Sequence, residues 1–258
     1  MTNAFPTVKL FGFDFSKAET ITEVASHILS NHDVPGCRFL ITPNASILVC
    51  YNEKKHKALK ASYKNAEYIL PDGMPIVWLS RLKGKRIYRL PGSELFPVLW
   101  KQLVESQIPV VCVVANESLA EKLQTEHKGC RCIVPRFFQA TEEDYIKELS
   151  AEIVSVVKET KAKYVFIGLT SPKQEKLALE IKKVIGVDKE FSVLVLMLGA
   201  SFEFYFGLKA RAPLWMQRNG LEWLHRFIKE PRRLWKRYTV DNFRFLLLAL
   251  RELLISGK

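Results

Sequence analysis

Residues 67–75 read EYILPDGMP. An apolar run enters a Pro-Asp-Gly step and a second proline follows. Asp in such a step commonly bonds its own backbone and does nothing more. The same carboxylate, held at the end of a strand beside an apolar wall, can be tuned to take a proton from a hydroxyl. Asp72 is therefore read either as the polar corner of a turn or as a general base. Residues 168–175, GLTSPKQE, offer a comparable choice. Ser171 fits a helix N-cap, Pro172 the first helical position and Gln174 the third residue of a capping box. A glycine-containing strand end that leads into a helix N-terminus is equally a place for a phosphate, because free N–H groups and the positive dipole end point at it. A third strand end, FLITPN, supplies Thr42 and Asn44, both general hydrogen bonders.

Other chemistries lack their residues. The five histidines show no metal-ligand spacing, and there is no His-Glu-x-x-His and no Asp-x-Asp pair. Neither Gly-x-Gly-x-x-Gly nor a P-loop occurs, so dinucleotide and P-loop nucleotide sites lack their fingerprints. Five cysteines with no Cys-x-x-Cys argue against a disulfide framework or zinc ribbon and for free thiols in a reducing compartment.

The elements that must position these residues alternate. VKLFGFDF, CRFLIT, EYILP, IPVVCVVA, CIVP, KYVFIGL and FSVLVLML read as strands. ITEVASHILSNH, SLAEKLQTEHKG and EEDYIKELSAEIVSVVKET carry helical spacing. This alternation predicts an α/β fold, a mostly parallel sheet flanked by helices, in which ligands sit outside the carboxyl ends of the strands. The chain of 258 residues, 48% hydrophobic and 26% charged, is long enough for one large α/β domain with an appendage. The division predicted is a catalytic core over 1–208 and a basic helical appendage over 209–258.

The appendage carries the charge. Residues 208–258 hold 12 Lys+Arg against 4 Asp+Glu, two thirds of the net +12. Such asymmetry points to an anionic partner: nucleic acid, phosphates or a membrane surface. Breaks are predicted near Gly220 and Glu230-Pro231. The stretch FRFLLLALRELLI leaves a wide apolar face on a helix. It falls short of the roughly 20 apolar residues that span a bilayer but suits lying on one. The N-terminus has no basic start with a long apolar run, so no signal peptide is read and a cytoplasmic location is predicted.

Taken in order, TPN, ILPDGMPIVW, LPGSEL, IGLTSPKQE, GASFEFYFG, RAP and GLEWLHRFIKEPRRLWKRY resemble the bacterial WecG/TagA/CpsF glycosyltransferase family over about residues 8–240. The resemblance implies a Rossmann-like core and an inverting hexosyltransferase. It implies transfer of a hexose or N-acetylhexosamine (N-acetylmannosamine, its uronic acid, or glucose) from a UDP-sugar to a polyprenyl-diphosphate-linked saccharide at the inner face of the membrane. No metal and no other cofactor is implied. Asp72 matches the family's general base. Thr42 and Asn44 match its substrate-pocket Thr-x-Asn, and Gly73 follows the base. Arg89 matches the basic residue before Pro-Gly. Gln174 and Glu175 match its Pro-x-Gln-Glu in the nucleotide-sugar region. Arg211, Arg218, Arg226, Arg232 and Arg233 are the arginines placed against the diphosphate, whose oxygens a guanidinium fork grips in pairs. Two departures bear on the donor: Asn116-Glu117 stands where the family has a glycine-rich strand end, and Glu203 where it often has Asp.

The charge and aromatics of the tail alone also suit a nucleic-acid-binding module, and loss of catalysis would leave a membrane-peripheral assembly protein. The motif order favours the enzyme, with an anionic membrane surface and no nucleic acid as partner. Homo-oligomerisation is left open by the sequence.

Overall fold

The structure is a computed structural model that describes residues 4–53, 56–64, 66–186, 191–229, 231–236 and 240–255. In chain order it begins with β1 (Thr7–Leu10), β2 (Phe13–Ser16), α1 (Ile21–Ser30) and β3 (Gly36–Ile41). Then come α2 (Ala45–Asn52), α3 (Lys57–Tyr63), β4 (Tyr68–Ile69), α4 (Met74–Leu82) and α5 (Gly92–Ser106). The middle holds β5 (Val110–Val113), α6 (Glu117–Glu126), β6 (Cys130–Ile133), α7 (Glu143–Thr160) and β7 (Tyr164–Ile167). It continues with α8 (Lys173–Ile185), β8 (Ser192–Met197) and α9 (Ser201–Tyr205). The last four helices are α10 (Leu214–Arg218), α11 (Glu222–Lys229), α12 (Pro231–Lys236) and α13 (Asn242–Ile255).

Contacts divide the chain into two compact units, and the boundary is not the linear one at 208/209. One unit joins residues 1–19, 42–91 and 209–258; the other joins residues 20–41 and 92–208. The C-terminal segment therefore groups with two earlier stretches of chain.

The second unit is α/β. Its strands pair in the order β3-β8-β7-β5-β6, all parallel, with Val110 opposite Tyr164 and Ile41 opposite Met197. The four residues of β5 and of β7 are all buried, the pattern of strands covered on both faces. Helix α7 explains itself by period: Ile146, Leu149, Ile153, Val154 and Val157 are its buried residues. The chain leaves β5 toward β6 and leaves β7 toward β8, in opposite directions. That reversal of direction marks the carboxyl ends of β5 and β7 as the place where sheets of this topology take ligands.

In the first unit, the run predicted as one strand, VKLFGFDF, folds back on itself. Phe11 and Gly12 take φ of 56° and 80°, so β1 and β2 form an antiparallel hairpin with Leu10 opposite Phe13. Two successive positive φ values are what a tight hairpin turn of the right twist requires. Val8, Leu10, Phe13 and Phe15 are buried.

Two expectations about GLTSPKQE change. The helix begins at Lys173, with Pro172 as its N-cap and no side-chain cap. Ser171 stands one residue outside, and its buried hydroxyl has no hydrogen-bond partner. Gln174 does not close a capping box: its side-chain oxygen accepts from the Gly199 amide at 3.1 Å, tying the head of α8 to the exit of β8.

Candidate active site

Asp72 is fixed by its backbone before its side chain is considered. Its N–H donates to the Pro43 carbonyl at 3.1 Å, and the Leu90 N–H donates to the Pro71 carbonyl at 2.8 Å. The Pro-Asp-Gly step is thus laced to the segments that carry Asn44 and Arg89. Gly73 takes φ of 140°, a conformation that L side chains rarely adopt, and serves as the N-cap of α4. The turn reading of the motif is correct as far as it goes, and it also delivers the carboxylate to a cavity.

That cavity, about 230 Å³, lies within the first unit and is lined by Asn44, Asp72, Arg89, Glu222, Trp223 and Phe245, among others. Four helices begin on it. α2 contributes Asn44, Ala45 and Ser46; α4 contributes Gly73, Met74 and Pro75; α11 contributes Glu222 and Trp223; α13 contributes Asn242. First turns leave backbone N–H groups unsatisfied and carry the positive end of the helix dipole. Arg89 and these N-termini stand against Asp72 and Glu222, the two carboxylates of the lining.

The neighbouring chain is shaped for this. Asn44 caps α2, its side-chain oxygen accepting from the Ile47 N–H at 3.1 Å. Gly220 takes φ of 70°, and a β-carbon on it would stand 2.9 Å from the Trp78 ring and 3.0 Å from Met74 Cβ. Only glycine lets the turn before α11 rest on the first residue of α4. Gln217, buried, donates to the Ala212 carbonyl at 2.6 Å and so ties the Arg-Ala-Pro element to α10. Phe245 on α13 packs its ring 5.6 Å from that of Phe11. Among the described residues no group of three His, Cys, Asp or Glu is placed to hold a metal ion.

A family model for glycosyl transferases of the WecG/TagA/CpsF family matches residues 8–258. The chain belongs to the WecG/TagA/CpsF glycosyltransferase family. An N-acetylglucosaminyldiphosphoundecaprenol N-acetyl-beta-D-mannosaminyltransferase of Staphylococcus aureus (strain MW2) is 26% identical over 97% of this chain and 96% of its own. The protein of the same name from strain MRSA252 is 25% identical over the same shares. The protein is thus a hexosyltransferase of cell-envelope polysaccharide synthesis.

For this glycosyltransferase the residues expected at the site fall into four groups. Asp72, Asn44, Gly73 and Arg89 line one cavity. Thr42, buried, and Arg211 share their unit but do not line it, and Arg232 is exposed on α12. Gln174 and Glu175 belong to the other unit, buried at the head of α8, where the Gln174 amide donates to Glu175 at 3.1 Å. Arg218, Arg226 and Arg233 fall on α10, α11 and α12, and their side chains lie outside the described residues. The departure at Asn116 has a local cause: its side chain caps α6, accepting from the Leu119 N–H at 3.0 Å. Sequence reasoning missed Ser46, Gln217, Glu222, Trp223, Asn242 and Phe245 as lining residues. The signal for two of them was in GLEWLHRF, where attention to the arginines passed over the acid and the indole.

Proposed function

We propose that the protein transfers an N-acetylmannosamine-type sugar, with inversion, from a UDP donor to N-acetylglucosamine linked through diphosphate to a polyprenyl lipid. The observation that carries this is Asp72 in a cavity built from helix N-termini, in a chain of this family. The names of the relatives supply the sugar and the acceptor.

The acceptor hydroxyl attacks the anomeric carbon and its oxygen forms the new glycosidic bond. The bond from that carbon to the UDP oxygen breaks, and its electron pair leaves with UDP. The hydroxyl proton passes to Asp72. Positive dipole ends and Arg89 offset the charge of Asp72, which suits a carboxylate that must start ionised. Arg211, Arg218, Arg226, Arg232 and Arg233 are assigned to the diphosphates of the two substrates. Thr42 and Asn44 flank Pro43, whose carbonyl accepts from the Asp72 N–H, and Gln174, with Glu175 beside it, braces the exit of β8, which we assign to the donor nucleotide. No divalent ion enters this displacement, so a chelator such as EDTA is expected to leave the rate unchanged; loss of turnover restored by one added metal would overturn that part of the reading.

The outward face of α13 supports action at a bilayer. Phe243, Leu246, Leu247, Leu250 and Leu254 are exposed at one helical spacing, in a segment of excess positive charge. No helix among the described residues is long and apolar enough to cross a membrane. The occupant we assign to this face is the anionic inner leaflet.

The deciding experiment measures UDP release from UDP-N-acetylmannosamine with a short-chain lipid-diphosphate-N-acetylglucosamine acceptor. Asp72→Asn is expected to lower kcat by about 100-fold or more, the range typical of a lost general base. Wild-type turnover in a folded Asp72→Asn variant would refute the assignment.

A further inference from the structure

Two carboxylates line the same cavity, and the displacement uses only one of them. Asp72 comes from the strand end before α4, and Glu222 is the first residue of α11. Their encounter is built in by Gly220. Its positive φ and its approach to Met74 and Trp78, closer than any β-carbon allows, seat the head of α11 on the head of α4. The next residues in the chain are Leu221, Glu222 and Trp223. Glu222 and Trp223 both line the cavity, and Trp223 remains 43% exposed.

An ionised carboxylate is an acceptor only, with room for several hydrogen bonds on its two oxygens. The partly exposed indole of Trp223 lines the same cavity and has a flat apolar face that a sugar ring can stack on. Carboxylate, aromatic face and the neutral amides of Asn44, Gln217 and Asn242 are the groups that hold a neutral sugar: hydroxyls donate to the acid, and ring C–H groups lie on the indole. A sugar that carries its own carboxylate would meet Glu222 as a like charge.

We propose that Glu222 is the substrate-positioning and specificity-determining carboxylate of this cavity. It accepts hydrogen bonds from hydroxyls of the acceptor sugar, holds that sugar in the cavity that Asp72 also lines, and rejects a uronic acid in its place. The inference rests on reading the cavity as the acceptor site, and it extends that reading to a residue with a role of its own.

The test uses the full chain, UDP-N-acetylmannosamine and two short-chain lipid-diphosphate acceptors, one ending in N-acetylglucosamine and one in glucuronic acid. Glu222→Gln is expected to raise the KM for the N-acetylglucosamine acceptor by about tenfold to 100-fold, the usual worth of a hydrogen bond to a charged group. Its kcat stays within about threefold and the pH profile of kcat, set by Asp72, does not move. The same substitution narrows the preference for the neutral over the acidic acceptor. Glu222→Asp, which keeps the charge on a shorter arm, recovers part of the KM. Gly220→Ala, which shifts the head of α11 and leaves the acid intact, raises the same KM.

An unchanged acceptor KM in folded Glu222→Gln, or a loss confined to kcat, overturns the proposal. Should Glu222→Gln not fold, Glu222→Asp and Gly220→Ala carry the test, and an unchanged KM in both overturns it. Absence of turnover by the wild-type protein with these substrates would instead refute the functional reading, so the two failures are distinguishable.

Discussion

A β-carbon on Gly168 would stand 2.6 Å from the Phe202 ring and 3.4 Å from the Gly199 carbonyl. Phe202 has little room to yield, because its ring already packs 4.6 Å from Phe96, which stacks at 5.4 Å on Trp100. Gly168→Ala is therefore expected to destabilise the protein by about 1–3 kcal/mol through overpacking, read as a lower denaturant midpoint at unchanged slope. This glycine serves packing, whereas beside Ser171 and Pro172 it had looked like part of a phosphate cradle. The Asp72 site divides in the same way. Its own strand end was legible, because Pro-Asp-Gly announces a turn wherever it occurs. Glu222 and Trp223 were not, because about 150 positions separate them from Asp72, and the close approach of Gly220 to Met74 and Trp78, which brings them together, is a tertiary contact. Gln174 misled for the opposite reason: local spacing fits a capping box, and a loop 25 residues later competes for the same oxygen.

Elements were more legible than contacts. Every predicted strand from CRFLIT onward has its counterpart, because continuous apolar runs bounded by Pro, Gly and polar residues mark buried parallel strands. The exception, VKLFGFDF, hid a hairpin turn inside an apolar run, with Gly12 as its one cue. Helix α13 shows what periodicity leaves out. Glu252 accepts from Lys83 Nζ at 2.7 Å, with the lysine side chain only 5% exposed, and Arg244 pairs with Glu53 at 3.2 Å with more than half of its side chain exposed. Of the three charged residues on α13, Arg244 and Glu252 dock it. Glu252→Ala takes the carboxylate from the buried ammonium, which keeps its 3.1 Å bond to the main-chain carbonyl of residue 252, and is expected to cost about 2–3 kcal/mol, whereas Arg244→Ala costs under about 1 kcal/mol. Thermal melts of the two variants compare them directly. Because α13 brings Asn242 and Phe245 to the cavity, Glu252→Ala should also raise the acceptor KM. Strand β3 carries a pH signature. Burial pushes the Cys37 thiol from 9.0 up to about 12. The folded chain keeps that proton where the unfolded chain loses it, so this contribution is full below pH 9 and is lost as pH rises from 9 to 12. Cys37→Ala is expected to flatten the fall of stability across that window in denaturation curves taken at stepped pH. An unchanged slope would show the thiol to be no part of it.

At the scale of the whole molecule, sequence revealed the excess charge of residues 208–258 but not what those residues touch. Composition changes sharply at the tail, whereas contacts join it to residues 1–19 and 42–91. This bears on how membrane association can be tested. Deleting α13 would remove two lining residues of the cavity together with the apolar face, so a truncated protein would confuse binding with catalysis. The exposed stripe separates them. Leu246 and Leu250 point outward, 54% and 48% exposed, while Phe245 is buried on the opposite side against Phe11. Leu246→Ser with Leu250→Ser removes apolar area from the exposed stripe without touching the docking pairs. Each leucine fully buried is worth about 1.5–3 kcal/mol, so the double variant should bind anionic phosphatidylglycerol vesicles at least about tenfold more weakly in flotation assays. Its stability in solution should hold or rise. Its turnover with a water-soluble short-chain acceptor should match the wild type, because the cavity is intact. Binding by the wild type should also weaken as salt is raised, since basic residues near an anionic leaflet contribute about 1 kcal/mol each within a Debye length. Equal flotation of the double variant and the wild type would take the membrane away from α13 and leave the face to another partner.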